Sequence, residues 1–200
     1  MKKVSPILGH INVPNAITTF GLIFGVLACY YLFEGGLREV LICLFFASMM
    51  DVLDGYFAMK LKQQTLFGKY ADSLTDFFIC CIIPALMAFV YLDRSVFLVF
   101  CVGAYCVCGM WRLANYNLTI TEKQTHFTGI PVPSALFITT AALWCQWIFE
   151  FDKLICTVVY LVMALLMISP IKLKKYGSSQ ILIWLVAIGF FTWVLLFGGK

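Results

Sequence analysis

The sequence predicts an all-α integral membrane protein, a polytopic bundle of six to eight transmembrane helices with a cytoplasm-facing active site. Of its 200 residues, 62% are hydrophobic and 12% are charged, whereas ordinary soluble domains are about 45–50% apolar. The mean hydropathy is +0.96. Apolar segments recur along the chain at the length of about 20 residues that a spanning helix needs. These three observations together favour a helical membrane fold.

The apolar segments define the predicted spans in order. Seven are long enough, at 14–33, 37–59, 68–92, 95–117, 131–151, 153–170 and 178–197. Turn and charged residues separate them, as at Glu34-Gly35-Gly36 and Asp93-Arg94. The first apolar run continues past the position where a signal peptide would be cleaved, so we expect an uncleaved span. Gly189 leaves open whether the last segment is one helix or a hairpin.

The distribution of basic residues predicts the orientation in the membrane. A cytoplasmic N-terminus places ten of the 14 Lys and Arg on the cytoplasmic side and four on the other. Cytoplasmic loops carry such an excess. The ten are Lys2, Lys3, Lys60, Lys62, Lys69, Arg112, Lys123, Lys172, Lys174 and Lys175. We therefore expect a multi-pass protein of the cell membrane. Because no linker or repeat divides the chain, residues 1–200 are expected to form a single domain.

Two other features of the composition exclude classes of function. The nine cysteines all lie inside apolar runs and show no paired CxxC spacing, so we expect free, packed thiols and no zinc site. The net charge is +4, but no dense block of Lys and Arg accompanies it. The sequence therefore predicts no nucleic-acid partner.

Residues 51–76, DVLDGYFAMKLKQQTLFGKYADSLTD, carry four aspartates in this charge-poor chain. Asp51 and Asp54 are three residues apart and Asp72 and Asp76 are four apart, so each pair shares one helical face. Two antiparallel helices could aim all four at one point. Buried charges are costly unless they are paired or bind metal, and hard divalent cations prefer carboxylate oxygens. Two-metal sites hold phosphate oxygens and stabilise displacement at phosphorus.

Small residues accompany the aspartates, and they allow a second interpretation. Gly55 and Ala58 follow Asp54, and Gly68 lies one turn before Asp72. Small side chains permit the close approach of a ligand, but they equally permit tight helix packing. A solvated cytoplasmic turn could also host some of the aspartates.

The segment resembles the signature of the CDP-alcohol phosphatidyltransferases, which is DxxDGxxAR, eight residues, and GxxxDxxxD. Every spacing is kept, and Met59 stands where the family has arginine. Further segments resemble phosphatidylserine synthases, including the archaeal archaetidylserine type. These segments are PNAIT at 14–18, DSLTD with PA at 72–85, RLANYN at 112–117, FTGIPVP at 127–133 and ISPIK at 168–172. Asn115 replaces a usual arginine.

The resemblance implies a reaction and its participants. CDP-diacylglycerol, or an archaeal ether-lipid analogue, enters from the bilayer, an alcohol attacks the phosphorus that bears the lipid, and CMP leaves. Asp51, Asp54, Asp72 and Asp76 would hold a divalent metal, Mg²⁺ or Mn²⁺, as two ions. Asp76 would also be the general base for the hydroxyl of L-serine. The other implied partners are membrane lipid and a second copy of the chain in a homodimer.

The resemblance also implies the substrate contacts. The predicted nucleotide-binding residues are Asn15, Thr18, Gly55, Ala58, Thr65 and Gly68. Arg112 is the candidate for an anionic group, the serine carboxylate or a phosphate, with an interfacial, snorkelling arginine as the alternative. Asn117 is a candidate for the alcohol or a phosphate, with a polar helix-end residue as the alternative.

Three alternatives remain open. The acceptor could be glycerol 3-phosphate, inositol phosphate or choline instead of serine. An ion transporter would also use intramembrane aspartates, but it predicts discontinuous helices in repeated halves, and this chain has a single aspartate cluster. A non-catalytic relative is suggested by Met59 and Asn115. Because all four aspartates are present, we hypothesise a slower but working enzyme.

Overall fold

The structure is a computed structural model that describes residues 8–119 and 126–174, with side chains for 9–119 and 129–171. After a 3-10 turn at Leu8–His10, the helices are α1 Val13–Phe33, α2 Leu37–Lys60, α3 Leu66–Phe77, α4 Ile83–Tyr91, α5 Val96–Thr119, α6 Val132–Phe149 and α7 Lys153–Met167. A π-helical turn, Phe78–Ile82, joins α3 to α4. The short strands β1 His126–Thr128 and β2 Lys172–Lys174 pair antiparallel.

The helices confirm the polytopic membrane fold. Within the described ranges, five helical segments are long and apolar enough to cross a bilayer: α1, α2, the α3–α4 unit Leu66–Tyr91, α5 and α6. The sixth, α7, is a shorter apolar helix. The first six predicted spans coincide with these segments. The predicted span 178–197 lies outside the described residues. The pairing of β1 with β2 was not predicted.

Helix α1 begins where its sequence provides a cap, and two glycines bring it close to its neighbours. The Asn12 side chain accepts a hydrogen bond from the Asn15 N–H at 2.9 Å, which satisfies one free donor of the first turn. A Cβ at Gly21 would lie 3.3 Å from the Met50 Cβ on α2. A Cβ at Gly25 would lie 3.1 Å from the Phe78 ring. These contacts set α1 against α2 and against the π-helical turn that follows α3.

A tight turn ties α5, α6 and α7 together at the bundle end that carries the aspartates. The Gly129 N–H donates to the Ile171 carbonyl at 2.8 Å, and the Ile130 N–H donates to the Leu166 carbonyl at 3.1 Å. The Arg112 Nε donates to the Ile130 carbonyl at 2.7 Å. At the opposite end, Lys153 and Asp93 form an ion pair at 3.1 Å.

Between these two ends the core is apolar, with large side chains that reach across the helices. The rings of Tyr105 and Tyr160 are fully buried and meet edge to face, with centroids 5.3 Å apart. Trp144 is also fully buried. All nine cysteines are described and all are free thiols, in agreement with the sequence-based expectation.

We predict that replacing Gly129 by alanine destabilises the protein, whereas the same replacement at Gly103 does not. Gly129 has φ +74°, and an added Cβ would collide with the Met167 carbonyl. Gly129→Ala should therefore lower the free energy of unfolding by about 1–3 kcal/mol, the usual cost of left-handed backbone at a non-glycine residue, or more. Thermal denaturation in detergent measures this change.

Gly103→Ala is the matched control. An added Cβ at Gly103, inside α5, meets no atom within 4 Å, and alanine is favoured over glycine in a helix by about 1 kcal/mol. The control should leave the melting temperature unchanged or raise it. Equal stability of the wild type and Gly129→Ala would contradict the role assigned to this turn.

Candidate functional site

Three carboxylates from two helices meet at one end of the bundle. Asp51 of α2 and Asp72 and Asp76 of α3 each offer one oxygen, and these oxygens all lie within 4.8 Å of one another. The α2–α3 turn makes the two helices antiparallel, and the spacing of four puts Asp72 and Asp76 on the same face. Because three negative charges so close repel one another, the arrangement favours a cation. Oxygen ligands at this separation suit a hard divalent ion such as Mg²⁺ or Mn²⁺.

The fourth predicted ligand, Asp54, lies apart from this group. Its buried carboxylate accepts a hydrogen bond from the Thr18 hydroxyl of α1. The same hydroxyl lies 3.2 Å from the Pro14 carbonyl, which offers it a second acceptor. Three of the four aspartates therefore lie close to one another, and the fourth is hydrogen-bonded to α1.

All four aspartates nevertheless line one cavity. Its wall also includes residues of α1, α2, α3, the π-helical turn and α6, which are Thr18, Gly21, Ala47, Ser48, Thr75, Ile79, Cys80 and Pro133. Ser48 and Thr75 were not predicted from the sequence. Ser48 lies three residues before Asp51 and Thr75 three residues after Asp72, so helical spacing from the aspartates could have found both.

Three of the predicted nucleotide-binding residues gather at the start of α3. The Thr65 hydroxyl caps this helix by accepting from the Gly68 N–H at 3.0 Å. A Cβ at Gly68 would lie 2.6 Å from the Asn15 Oδ1 and 3.2 Å from the Thr65 Oγ1. The Asn15 amide donates to the His10 carbonyl at 2.8 Å. Glycine at position 68 therefore allows α1 and α3 to approach each other here.

The other two small residues, Gly55 and Ala58, lie on α2 beyond the aspartates. Gly55 is exposed, and an added Cβ would meet nothing within 4 Å. Ala58 is half-buried. Tight helix packing therefore does not account for Gly55, and the backbone beside Asp54 is open to a ligand.

Arg112 of α5 lies at the edge of the aspartate cluster and also anchors a loop. Its Nε binds the Ile130 carbonyl at 2.7 Å, and its guanidinium lies 5.9 Å from the centre of the Tyr116 ring. The guanidinium and the Asp76 carboxylate attract each other electrostatically. This half-buried position differs from that of an arginine extended into the membrane interface.

Asn117 connects α5 to α3. Its amide donates to the Ser73 hydroxyl at 2.8 Å, and its backbone carbonyl accepts from the Lys69 ammonium at 2.6 Å. The Asn117 Oδ1 is buried and has no hydrogen-bond partner among the described residues. Asn117 therefore lies beside the helix of Asp72 but outside the lining of the cavity.

The two departures from the family pattern occupy open positions. Met59 is 57% exposed, and Asn115 is also exposed. The Lys60 ammonium lies 5.3 Å from the centre of the Tyr56 ring, one turn back on α2. Helix α2 ends at Lys60, and Lys62 lies in the following turn with φ 54°.

Comparison with known proteins extends the resemblance over most of the chain. A sequence model of the family described as CDP-alcohol phosphatidyltransferase matches residues 11–197. The chain is 28% identical over 178 residues, 89% of its length and 81% of the relative's, to the CDP-diacylglycerol–serine O-phosphatidyltransferase of Methanocaldococcus jannaschii. It is 27% identical over 178 residues, 88% of its length and 75% of the relative's, to the archaetidylserine synthase of Methanothermobacter thermautotrophicus.

A shorter similarity involves a protein named for a different acceptor. Over 65 residues the chain is 42% identical to the CDP-diacylglycerol–glycerol-3-phosphate 3-phosphatidyltransferase of Aquifex aeolicus. This match covers 32% of the chain and 36% of the relative. Local similarity therefore does not distinguish the acceptors.

The carboxylate cluster predicts that a divalent cation stabilises the protein. Mn²⁺ at a hundredfold excess over its dissociation constant should add about 2.7 kcal/mol to the free energy of unfolding. A chelator should reverse the effect. Asp72→Asn should abolish most of this response without lowering the metal-free melting temperature, because the substitution removes one of three repelling charges.

Asp93→Asn provides the control for that measurement. Asp93 is an exposed aspartate paired with Lys153 at the other end of the bundle, and its side chain is 80% exposed. Its substitution should leave the Mn²⁺ response unchanged. An undiminished response in Asp72→Asn would remove the cluster as the metal site.

Proposed function

The chain belongs to the CDP-alcohol phosphatidyltransferase family, and we propose that its particular reaction transfers a phosphatidyl group from CDP-diacylglycerol to L-serine and releases CMP. The family activity transfers a phosphatidyl group from a CDP-linked lipid to an alcohol acceptor, and CMP leaves. The observation that carries the proposal is the group of Asp51, Asp72 and Asp76, within 4.8 Å of one another beside the buried Asp54. Divalent ions held by such a group would position a diphosphate and neutralise its charge.

Serine is favoured as the acceptor by the extent of similarity. The relatives named for phosphatidylserine and archaetidylserine synthesis align with 89% and 88% of the chain, whereas the relative named for glycerol 3-phosphate aligns with 32%. Because one relative is named for archaetidylserine synthesis, an ether-lipid analogue of CDP-diacylglycerol is an alternative donor. Glycerol 3-phosphate and inositol phosphate remain alternative acceptors.

We propose that the four aspartates hold two ions, either Mg²⁺ or Mn²⁺. The donor set fits, because the carboxylates of Asp51, Asp72 and Asp76 are close enough to share a cation and Asp54 lines the same cavity. When bound, such ions neutralise the charge that develops on the diphosphate oxygens.

Asp76 is proposed as the general base. It accepts the proton of the serine hydroxyl while the serine oxygen forms a bond to the phosphorus that bears the lipid. The bond from that phosphorus to CMP breaks, and CMP takes the electron pair. Arg112, which Asp76 attracts, is proposed to bind the acceptor's carboxylate or a phosphate near the same aspartate.

The nucleotide is proposed to bind where α1, α2 and the start of α3 approach each other. Thr18 contacts Asp54, and Asn15 and Thr65 lie at Gly68, while the open backbone at Gly55 and the small Ala58 leave space on α2. Asn117 is proposed to act near the acceptor, where its unpartnered Oδ1 could accept a hydrogen bond.

The proposed setting is the cell membrane, with the N-terminus and the aspartate cluster on the cytoplasmic side. The multi-pass arrangement of helices brings Lys69, Arg112 and the ends of α2 and α3 to one end of the bundle. The distribution of basic residues favours a cytoplasmic location for that end. Residues 1–200 are proposed to form one domain, and two copies to form a homodimer.

Release of CMP tests the proposed reaction. Purified protein in detergent, with CDP-diacylglycerol and Mn²⁺ or Mg²⁺, should release CMP when L-serine is added, and Asp76→Asn should abolish the release. Glycerol 3-phosphate and inositol phosphate, added separately, should give little CMP. Release with one of these instead would change the acceptor, and release only with the ether-lipid nucleotide would change the donor.

Because Met59 replaces a family arginine, we predict a working enzyme that binds its lipid nucleotide more weakly than one with arginine there. Met59→Arg restores a cation near the phosphates, and the 57% exposure of the position leaves room for the longer side chain. We expect the KM for the lipid nucleotide to fall by about tenfold, which corresponds to about 1.4 kcal/mol, with a smaller change in kcat.

Met59→Gln, which adds polarity without charge, is the control and should resemble the wild type. A wild-type protein without activity that becomes active as Met59→Arg would contradict the hypothesis of a working enzyme. It would favour the non-catalytic alternative.

A further inference from the structure

The third span changes its helical register directly after Asp76. Helix α3 ends at Phe77, and in the following π-helical turn the Ile83 N–H donates to the Phe78 carbonyl, five residues earlier. An α-helix advances about 100° per residue, so one inserted residue rotates everything before it by about that angle relative to everything after it. The π-helical turn therefore sets the direction of Asp72 and Asp76 relative to α4. We call α3 the upper half of this span and α4 the lower half.

Both halves of this span have fixed surroundings. The upper half directs Asp72 and Asp76 to Asp51 on α2. The lower half buries Ile83 and Met87 completely in the core. If the span were a regular α-helix, either the aspartates or these core side chains would leave their partners. The π-helical turn lets one helix serve both the metal cluster and the core.

A proline and a tyrosine account for the stability of this turn. Pro84 has no N–H, so the Cys80 carbonyl, four residues earlier, lacks the donor that a regular helix would give it. The Tyr105 hydroxyl of α5 donates to that carbonyl at 2.8 Å, and both residues are buried. A buried carbonyl left without a donor would cost about 1–3 kcal/mol.

A second tyrosine supports the first. The Tyr160 hydroxyl of α7 donates to the Pro84 carbonyl at 2.7 Å, and its ring packs edge to face on Tyr105. The backbone within the π-helical turn and directly after it is thus held by two other helices. Ile79 and Cys80, within the turn, line the same cavity as the aspartates.

From this geometry we propose that Tyr105 is a positioning residue for Asp76, acting through the π-helical turn of residues 78–82. The proposal rests on the proposed function, in which the aspartate cluster binds a divalent cation and Asp76 takes the acceptor's proton. Tyr105 itself lies outside the cavity lining, and its contribution is to hold against α5 the turn that points Asp72 and Asp76 at Asp51.

The experiment compares Tyr105→Phe with the double variant Tyr105→Phe/Pro84→Ala. Tyr105→Phe removes the donor to the Cys80 carbonyl. In the double variant the new N–H at position 84 can donate to that carbonyl in place of the Tyr105 hydroxyl, and the bond from Ile83 to Phe78 can stay as it is. The double variant therefore supplies the missing donor without restoring the link from the turn to α5, which separates a stabilising role of Tyr105 from a positioning role.

Two readouts are measured on each purified protein in detergent. One is the rise in melting temperature as Mn²⁺ is added, which needs no turnover. The other is the rate of CMP release with CDP-diacylglycerol and serine. Tyr105→Phe should lower CMP release by about tenfold or more, since a displacement of about 1 Å can cost about a hundredfold in rate. The Mn²⁺ concentration for half of the thermal shift should also rise.

The double variant should regain metal-free stability but neither the Mn²⁺ response nor CMP release. Tyr91→Phe is the matched control, because the Tyr91 hydroxyl on the same span is buried without a hydrogen-bond partner among the described residues. It should behave as the wild type in both readouts.

Recovery of both readouts together with stability in the double variant would overturn the proposal. So would a Tyr105→Phe protein with unchanged readouts. If Tyr105→Phe does not fold, the double variant still carries the test. A wild-type protein that responds to Mn²⁺ but releases no CMP would contradict the proposed reaction alone, whereas no Mn²⁺ response would contradict the positioning role as well.

Discussion

Repulsion among carboxylates is the constraint on which the rest of this structure depends. Asp51, Asp72 and Asp76 bring oxygens within 4.8 Å of one another in a helical membrane bundle. At an effective dielectric constant of about 20, two unit charges at this separation repel by about 3–4 kcal/mol. Whenever no cation is bound, helix packing and a proton shared between carboxylates must offset this repulsion. Three contacts hold the helices around the carboxylates in place. They are the close approaches at Gly21 and Gly25 on α1 and the bond from Arg112 to the Ile130 carbonyl.

The constraint also explains why the site is assembled from several helices with different tasks. Helices α2 and α3 supply the carboxylates, and α1 supplies the Thr18 hydroxyl that holds Asp54. Helix α5 supplies Arg112, whose Nε fastens the turn between α5 and α6 while its charge offsets part of the negative potential at Asp76. The carboxylates lie at one end of the bundle, where a substrate with a lipid tail and a water-soluble substrate can reach the same atoms.

The sequence predicted the parts of this arrangement that follow from helical periodicity. The six described spans follow from runs of apolar residues, and the meeting of Asp51, Asp72 and Asp76 follows from spacings of three and four residues around a short turn. The separate position of Asp54 could not be predicted, because it depends on the distance between α1 and α2, which Gly21 sets. The bond from Arg112 to Ile130 has a backbone acceptor, and a backbone carbonyl leaves no mark in a sequence. Pro84 is a visible signal of irregular helix, but Tyr105, which donates to the Cys80 carbonyl, lies on another span.

The arrangement of the aspartates has a consequence for the order in which the protein is made. All four aspartates and Thr18 belong to α1, α2 and α3, whereas Arg112 and Tyr105 belong to α5 and Tyr160 belongs to α7. Because a chain emerges from the ribosome with its N-terminus first, the aspartates are made before Arg112 and before the tyrosines that hold the π-helical turn. During this interval the hairpin of α2 and α3 carries four aspartates against the three lysines Lys60, Lys62 and Lys69. A divalent ion captured at that stage would let the first three spans settle before synthesis of the others is complete.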